Sequence, residues 1–151
     1  MTKRIALVLA TVVALVLVVA AGVAFAAVFT GDENANPING TSADDDITGA
    51  AGNDTLAGSA GKDVMFGDSG DDSVKGNRGS DYVDGGTGSD VVNGGDGDDN
   101  VNVIDGGSGD TAIGGPGAND GCAIDALGSE VDTADPSCET VVVTQIRMAA
   151  N

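Results

Sequence analysis

Seven aspartates recur at one interval in this chain: Asp45, Asp54, Asp63, Asp72, Asp81, Asp90 and Asp99, each nine residues from the next. A period that short brings like side chains of successive blocks close together in any regular fold. Carboxylates held close repel one another, and no Lys or Arg recurs at a fixed place to pair with them. A cation between them would remove the repulsion. Carboxylates and turn carbonyls together form an all-oxygen set, which suits a hard ion with about six to eight ligands, namely calcium. Magnesium fits less well because it demands near-ideal octahedral geometry and keeps its waters. Zinc and copper are disfavoured, since the chain has no His and only two Cys.

The elements that must position these aspartates are visible in the same frame. From Gly40 to Asn102 the chain divides into GTSADDDIT, GAAGNDTLA, GSAGKDVMF, GDSGDDSVK, GNRGSDYVD, GGTGSDVVN and GGDGDDNVN. Glycine stands first in every block, aspartate sixth, and an apolar residue eighth: Ile47, Leu56, Met65, Val74, Val83, Val92 and Val101. A fixed short period predicts a solenoid. Glycine at the first and, in most blocks, the fourth place permits tight turns. In the last three places the middle residue is apolar and its neighbours mostly polar, so each is a brief strand with its middle residue inward. Two blocks then close one coil and stack Asp45 on Asp63, Asp54 on Asp72, Asp63 on Asp81, Asp72 on Asp90, and Asp81 on Asp99. An ion between each pair gives about five well-formed sites plus weaker ones at the ends.

These blocks resemble the GGxGxDxUx nonapeptide of the RTX, or haemolysin-type, calcium-binding proteins. The resemblance implies an all-β fold, a right-handed parallel β-roll, with calcium ions shared by the sixth-place aspartates and the turn carbonyls of successive coils. It implies Asp45, Asp54, Asp63, Asp72, Asp81, Asp90 and Asp99 as carboxylate ligands. The sequence departs from the motif at the second place, where Gly stands only at Gly86 and Gly95, against Thr41, Ala50, Ser59, Asp68 and Asn77. Ala43 also replaces the fourth-place glycine of the first block. The early turns are therefore expected to be less secure than the later ones.

Outside the blocks the chain changes character. Lys3 and Arg4 precede an apolar run from Ile5 to Phe29 that contains Ala24-Phe25-Ala26. This reads as a secretory signal peptide over residues 1–26, with an uncleaved anchor as the alternative because the run is long enough to span a bilayer. Residues 27–39 read as a linker, with turn signals at Asn36-Pro37 and Asn39-Gly40. Repeats occupy residues 40–123. After Asn102 the frame slips: Val103-Ile104-Asp105 reads as a three-residue insertion, after which GGSGDTAIG resumes at Gly106. That frame puts Thr111 in the sixth place, with Asp110 one residue away, and Asp120 in the sixth place of the block from Gly115. Asp120 is a further candidate ligand. Residues 124–151 read as a C-terminal cap. Cys122 and Cys138 are the only cysteines, and in an exported chain they are expected to form a disulfide tying the tail to the last coil. The loop of about 15 residues would be worth roughly 3 kcal/mol. The run from Cys138-Glu139 to Val143 reads as a closing strand and resembles the Cys-Glu-x-Val endings of small secreted actinobacterial members of the family.

Composition bounds the function. The formal charge is −18 over 151 residues, and it becomes −20 once the leader takes Lys3 and Arg4 with it. Only 3% of residues are aromatic. Such a chain buries little apolar surface and would be disordered unless metal supplied the missing energy. The charge argues against nucleic acid, which needs basic patches. The absence of His excludes Ser-His-Asp triads, and no phosphate-loop motif follows the glycines. The reading is a secreted, non-catalytic calcium-binding β-roll stabilised by Ca2+. The alternatives are an adhesion or matrix module built on the same scaffold, and a remnant calcium-binding module of a secreted enzyme or toxin. Exposed Asp44, Asp71 and Asp98 read as solvating groups, and Phe66 and Tyr82 as a lateral packing pair.

Overall fold

The computed structural model describes residues 25–106, 109–126 and 131–144. The expected leader lies outside these residues up to residue 24, as do parts of the cap. Among the described residues there are thirteen strands and no helix. The odd-numbered ones are β1 (Val28–Thr30), β3 (Asp46–Thr48), β5 (Val64–Phe66), β7 (Tyr82–Asp84), β9 (Asn100–Asn102), β11 (Gly121–Asp125) and β13 (Thr140–Thr144), and they form one sheet in that order. The even-numbered ones are β2 (Pro37–Asn39), β4 (Thr55–Ala60), β6 (Ser73–Arg78), β8 (Val91–Asp96), β10 (Thr111–Ile113) and β12 (Thr133–Ala134), and they form the other. Every pairing is parallel. The chain therefore crosses from sheet to sheet every nine residues and closes a coil every eighteen, as the block pattern predicts. Each pairing within the regular region joins equivalent places, for example Met65 with Val83 and Val74 with Val92.

The eighth-place residues fill the space between the sheets in single file. Ile47, Leu56, Met65, Val74, Val83, Val92 and Val101 are all fully buried, and Val103, Ala112, Cys122, Ile124 and Cys138 continue the row. One apolar side chain per half-coil makes a thin core. Removing a coil's share of it from water cannot by itself outweigh the entropy of ordering eighteen residues.

The structure differs from the sequence reading at both ends of the repeat. Residues 27–39 are not a linker: β1 and β2 pair with β3 and β4, and Phe29 and Ile38 pack against the core. Gly31–Asn39 is a block in the same frame, glycine first and Ile38 eighth, with Asn36 in the aspartate place. The closing strand β13 is the last rung of its sheet, on the edge of β11, and its Val141, Val142 and Val143 are exposed. The expected disulfide between Cys122 and Cys138 is present, with the Cα atoms 5.8 Å apart. Phe66 and Tyr82 pack as expected, ring centroids 5.8 Å apart on neighbouring rungs.

Candidate metal centre

The sixth-place aspartates form two columns at the turns that lead into the strands, one entering each sheet. Along one stand Asp45, Asp63, Asp81, Asp99 and Asp120; along the other Asp54, Asp72, Asp90 and Asp110. All nine are buried. Each carboxylate is fixed by the coil before it. The Asp45 N–H donates to Asp63 Oδ1 at 2.8 Å, that of Asp54 to Asp72 at 2.7 Å, and that of Asp63 to Asp81 at 2.8 Å. Asp72 with Asp90 and Asp81 with Asp99 repeat the bond at 2.8 Å. The five expected pairs are thus brought together, and Asp90 with Asp110 at 2.7 Å and Asp99 with Asp120 at 2.9 Å extend them.

Asp110 corrects the sequence reading, which put Thr111 in the aspartate place. Strand pairing sets Thr111 opposite Val91, so Asp110 stands opposite Asp90 and no carboxylate is missing. The columns also run further than expected. Asp132 accepts the Asp110 N–H at 3.2 Å and Glu139 accepts the Asp120 N–H at 2.7 Å. The sequence held a signal for Asp132, because Asp132-Thr133-Ala134 repeats Asp110-Thr111-Ala112. At the N-terminal end Ala27 and Asn36 fill the aspartate places and donate to Asp45 and Asp54, each at 2.8 Å.

One oxygen of each carboxylate is therefore held by a backbone amide. The other is not. Oδ2 of Asp54, Asp63, Asp72, Asp81, Asp90, Asp99, Asp110 and Asp120 is buried with no hydrogen-bond partner. In the first block, by contrast, Asp45 Oδ2 accepts the Thr41 N–H at 2.5 Å and the Thr41 hydroxyl at 3.0 Å. The free oxygens sit beside the first-place glycine of their own block. A side chain on Gly49 would run into both Asp54 Oδ2 and the Gly67 carbonyl, and one on Gly58 into Asp63 Oδ2 and the Gly76 carbonyl. At Gly49, Gly58, Gly67 and Gly76 the site is thus a cradle of carboxylate and carbonyl oxygen that glycine leaves open.

The electrostatics agree with this geometry. Burial raises the carboxyls of Asp54, Asp63, Asp90, Asp99 and Asp120 above the ordinary carboxylate range, against the pull of the N–H that each accepts. Asp72 and Asp81 are pushed up to about 6, and Asp110 to about 7, for the same reason. The charges that act on them are other carboxylates: Asp90 and Asp54 on Asp72, and Asp63 and Asp99 on Asp81. Buried, mutually repelling acids with one oxygen unsatisfied require a proton or a cation. The donors present at these sites are carboxylate and backbone carbonyl oxygens. That is the donor set of calcium.

The place-five side chains make a second ladder that the sequence reading missed. Asp44 accepts the Lys62 N–H at 2.7 Å, Asn53 that of Asp71 at 3.1 Å, Asp71 that of Ser89 at 3.0 Å, and Asp98 that of Ala118 at 3.2 Å. Asp44, Asp71 and Asp98 are turn-to-turn ties rather than solvating groups.

No curated protein and no solved structure matches the chain. The family profile of the RTX calcium-binding nonapeptide repeat matches it in four copies, over residues 30–65, 39–74, 66–101 and 75–111, which together span more than half of its length. With glycine, aspartate and apolar places recurring in that frame and the coils stacked in parallel, the chain belongs to the family of RTX calcium-binding nonapeptide repeats, which bind Ca2+ between coils.

Proposed function

We propose that this is an exported, non-catalytic module that calcium folds and holds folded. The observation that carries the reading is the set of eight buried Oδ2 atoms, on Asp54, Asp63, Asp72, Asp81, Asp90, Asp99, Asp110 and Asp120, for which the protein supplies no donor. Each is read as a ligand of one ion, completed by turn carbonyls and water. Asp45, satisfied by Thr41, closes its column as a hydrogen-bonded end. Because the cradles exist only when coils are stacked, the ion binds the coil far better than the loose chain, and binding energy becomes folding energy. The disulfide supports an oxidising compartment, and millimolar calcium outside the cell would keep the sites filled. With no His, and with the best-placed carboxylates committed to the columns, the residues supply no acid–base pair for catalysis.

The test is far-UV circular dichroism of calcium-stripped protein titrated with calcium and, separately, with magnesium. A cooperative gain of β signal with calcium alone is expected. Asp72→Ala with Asp81→Ala should then raise the calcium midpoint by at least about tenfold, a loss of roughly 1.4 kcal/mol or more. A chain already fully folded in chelator would sink the reading.

A further inference from the structure

The C-terminal end of the solenoid holds a buried acid for which the repeat gives no reason. Asp125 ends β11, three residues after Cys122, beyond the sixth place and outside both columns. It is 0% exposed. Its Oδ2 accepts the Gly106 N–H at 2.7 Å, while its Oδ1 is buried with no hydrogen-bond partner. Its backbone N–H donates to Asp132 Oδ2 at 3.0 Å, and Asp132 Oδ1 takes the Asp110 N–H at 3.2 Å. Asp132 therefore bridges the backbones of Asp110 and Asp125. The cations among the described residues are Lys62, Lys75 and Arg78, all in earlier coils. A carboxylate oxygen sealed from water without a donor or a counter-ion is strongly disfavoured.

We propose that Asp125 anchors a further cation site, off the nine-residue frame, where the last coil meets the disulfide, and that it takes a hard divalent cation of calcium's class. Since no three acidic side chains converge among the described residues, the ion takes the free Asp125 oxygen and completes its shell with carbonyls and water. Asp132, whose Oδ2 takes the Asp125 N–H, adds negative potential beside it. The site shares its class of ion with the columns but takes no ligand from them, so the two readings can fail separately. Its place also differs in consequence: an ion here ties β11 to the segment entering β12, across the span between Cys122 and Cys138.

Crystals of the chain grown with calcium test this directly. An anomalous difference map is expected to show a peak about 2.3–2.6 Å from Asp125 Oδ1, in addition to peaks along the columns. Peaks along the columns with none at Asp125 overturn this inference and leave the proposed function standing. A folded chain with no peaks anywhere overturns both. In solution, Asp125→Asn keeps the shape and can still accept the Gly106 N–H, but it sets an amide nitrogen where the ion would sit. Native mass spectrometry should find it binding one calcium fewer than the unaltered chain, and an unchanged count overturns the site. Were the variant unable to fold, the crystal experiment on the unaltered chain decides.

Discussion

At the second place of every block but the first the turn takes a backbone conformation that suits glycine, and four residues adopt it without being glycine. Ala50, Ser59, Asp68 and Asn77 have φ of 79°, 86°, 70° and 77°, close to the 94° and 111° of Gly86 and Gly95. An L side chain in this region costs about 1–2 kcal/mol, less for Asn and Asp, whereas glycine gives back part of that through the freedom it loses on folding. Ala50→Gly should therefore raise the stability of the calcium-bound chain by about 0.5–1 kcal/mol, while Asn77→Gly changes it by less than about 0.5 kcal/mol. Urea unfolding at saturating calcium measures both. The column aspartates give a second expectation at this scale. Asp72 and Asp81 titrate near 6 and Asp110 near 7, above the value near 4 of the unfolded chain. The metal-free fold thus binds more protons than the unfolded chain between about pH 4 and pH 7, so its stability is greatest below that window and declines as pH rises through it. Calcium reverses the slope, because the ion needs the carboxylates ionised. Calcium-stripped protein should gain β signal on acidification from pH 7 to pH 4, and the calcium midpoint should rise over the same range.

At the scale of the strand and coil, the disulfide and the aspartate columns lie in different parts of the solenoid. The bridge closes a 16-residue separation between the last core rung and the segment before β13. Replacing Cys122 and Cys138 together with Ala should lower stability by about 3 kcal/mol at saturating calcium, read by urea unfolding, with the ions of the regular coils retained. How far the coils were legible before the structure follows from what sets them. Places one, six and eight each answer to one local demand, a tight turn, a buried carboxylate and a core side chain, so they show in the residues themselves. Register at the ends answers to strand pairing instead. The glycine pair Gly106-Gly107 suggests a frame that passes over Asp110, whose place is decided by Thr111 lying opposite Val91. Before Gly40, Asn36 stands in the aspartate place, although Gly31 and Ile38 continue the frame. The place-five ladder was hidden for a different reason. Its acceptors are a mixture of Asp, Asn and Ser, and only stacking brings each within reach of the next turn's N–H.

Across the whole molecule the charge and the sites are nearly matched. Eight divalent ions on the eight free carboxylate oxygens would bring the formal charge of the chain without its leader from −20 to about −4. On the proposed function, this acidity would weigh most on the metal-free chain. The alternation of blocks between two sheets has a consequence for how such a chain can change its length. Adding or removing two blocks slides everything downstream along the axis by one strand spacing, about 4.8 Å, and leaves each remaining rung in its own sheet. A single block would turn the whole C-terminal segment, disulfide included, by half a revolution relative to the N-terminal coils. Eighteen residues, not nine, is the step by which this architecture grows or shrinks without changing the direction its two ends face.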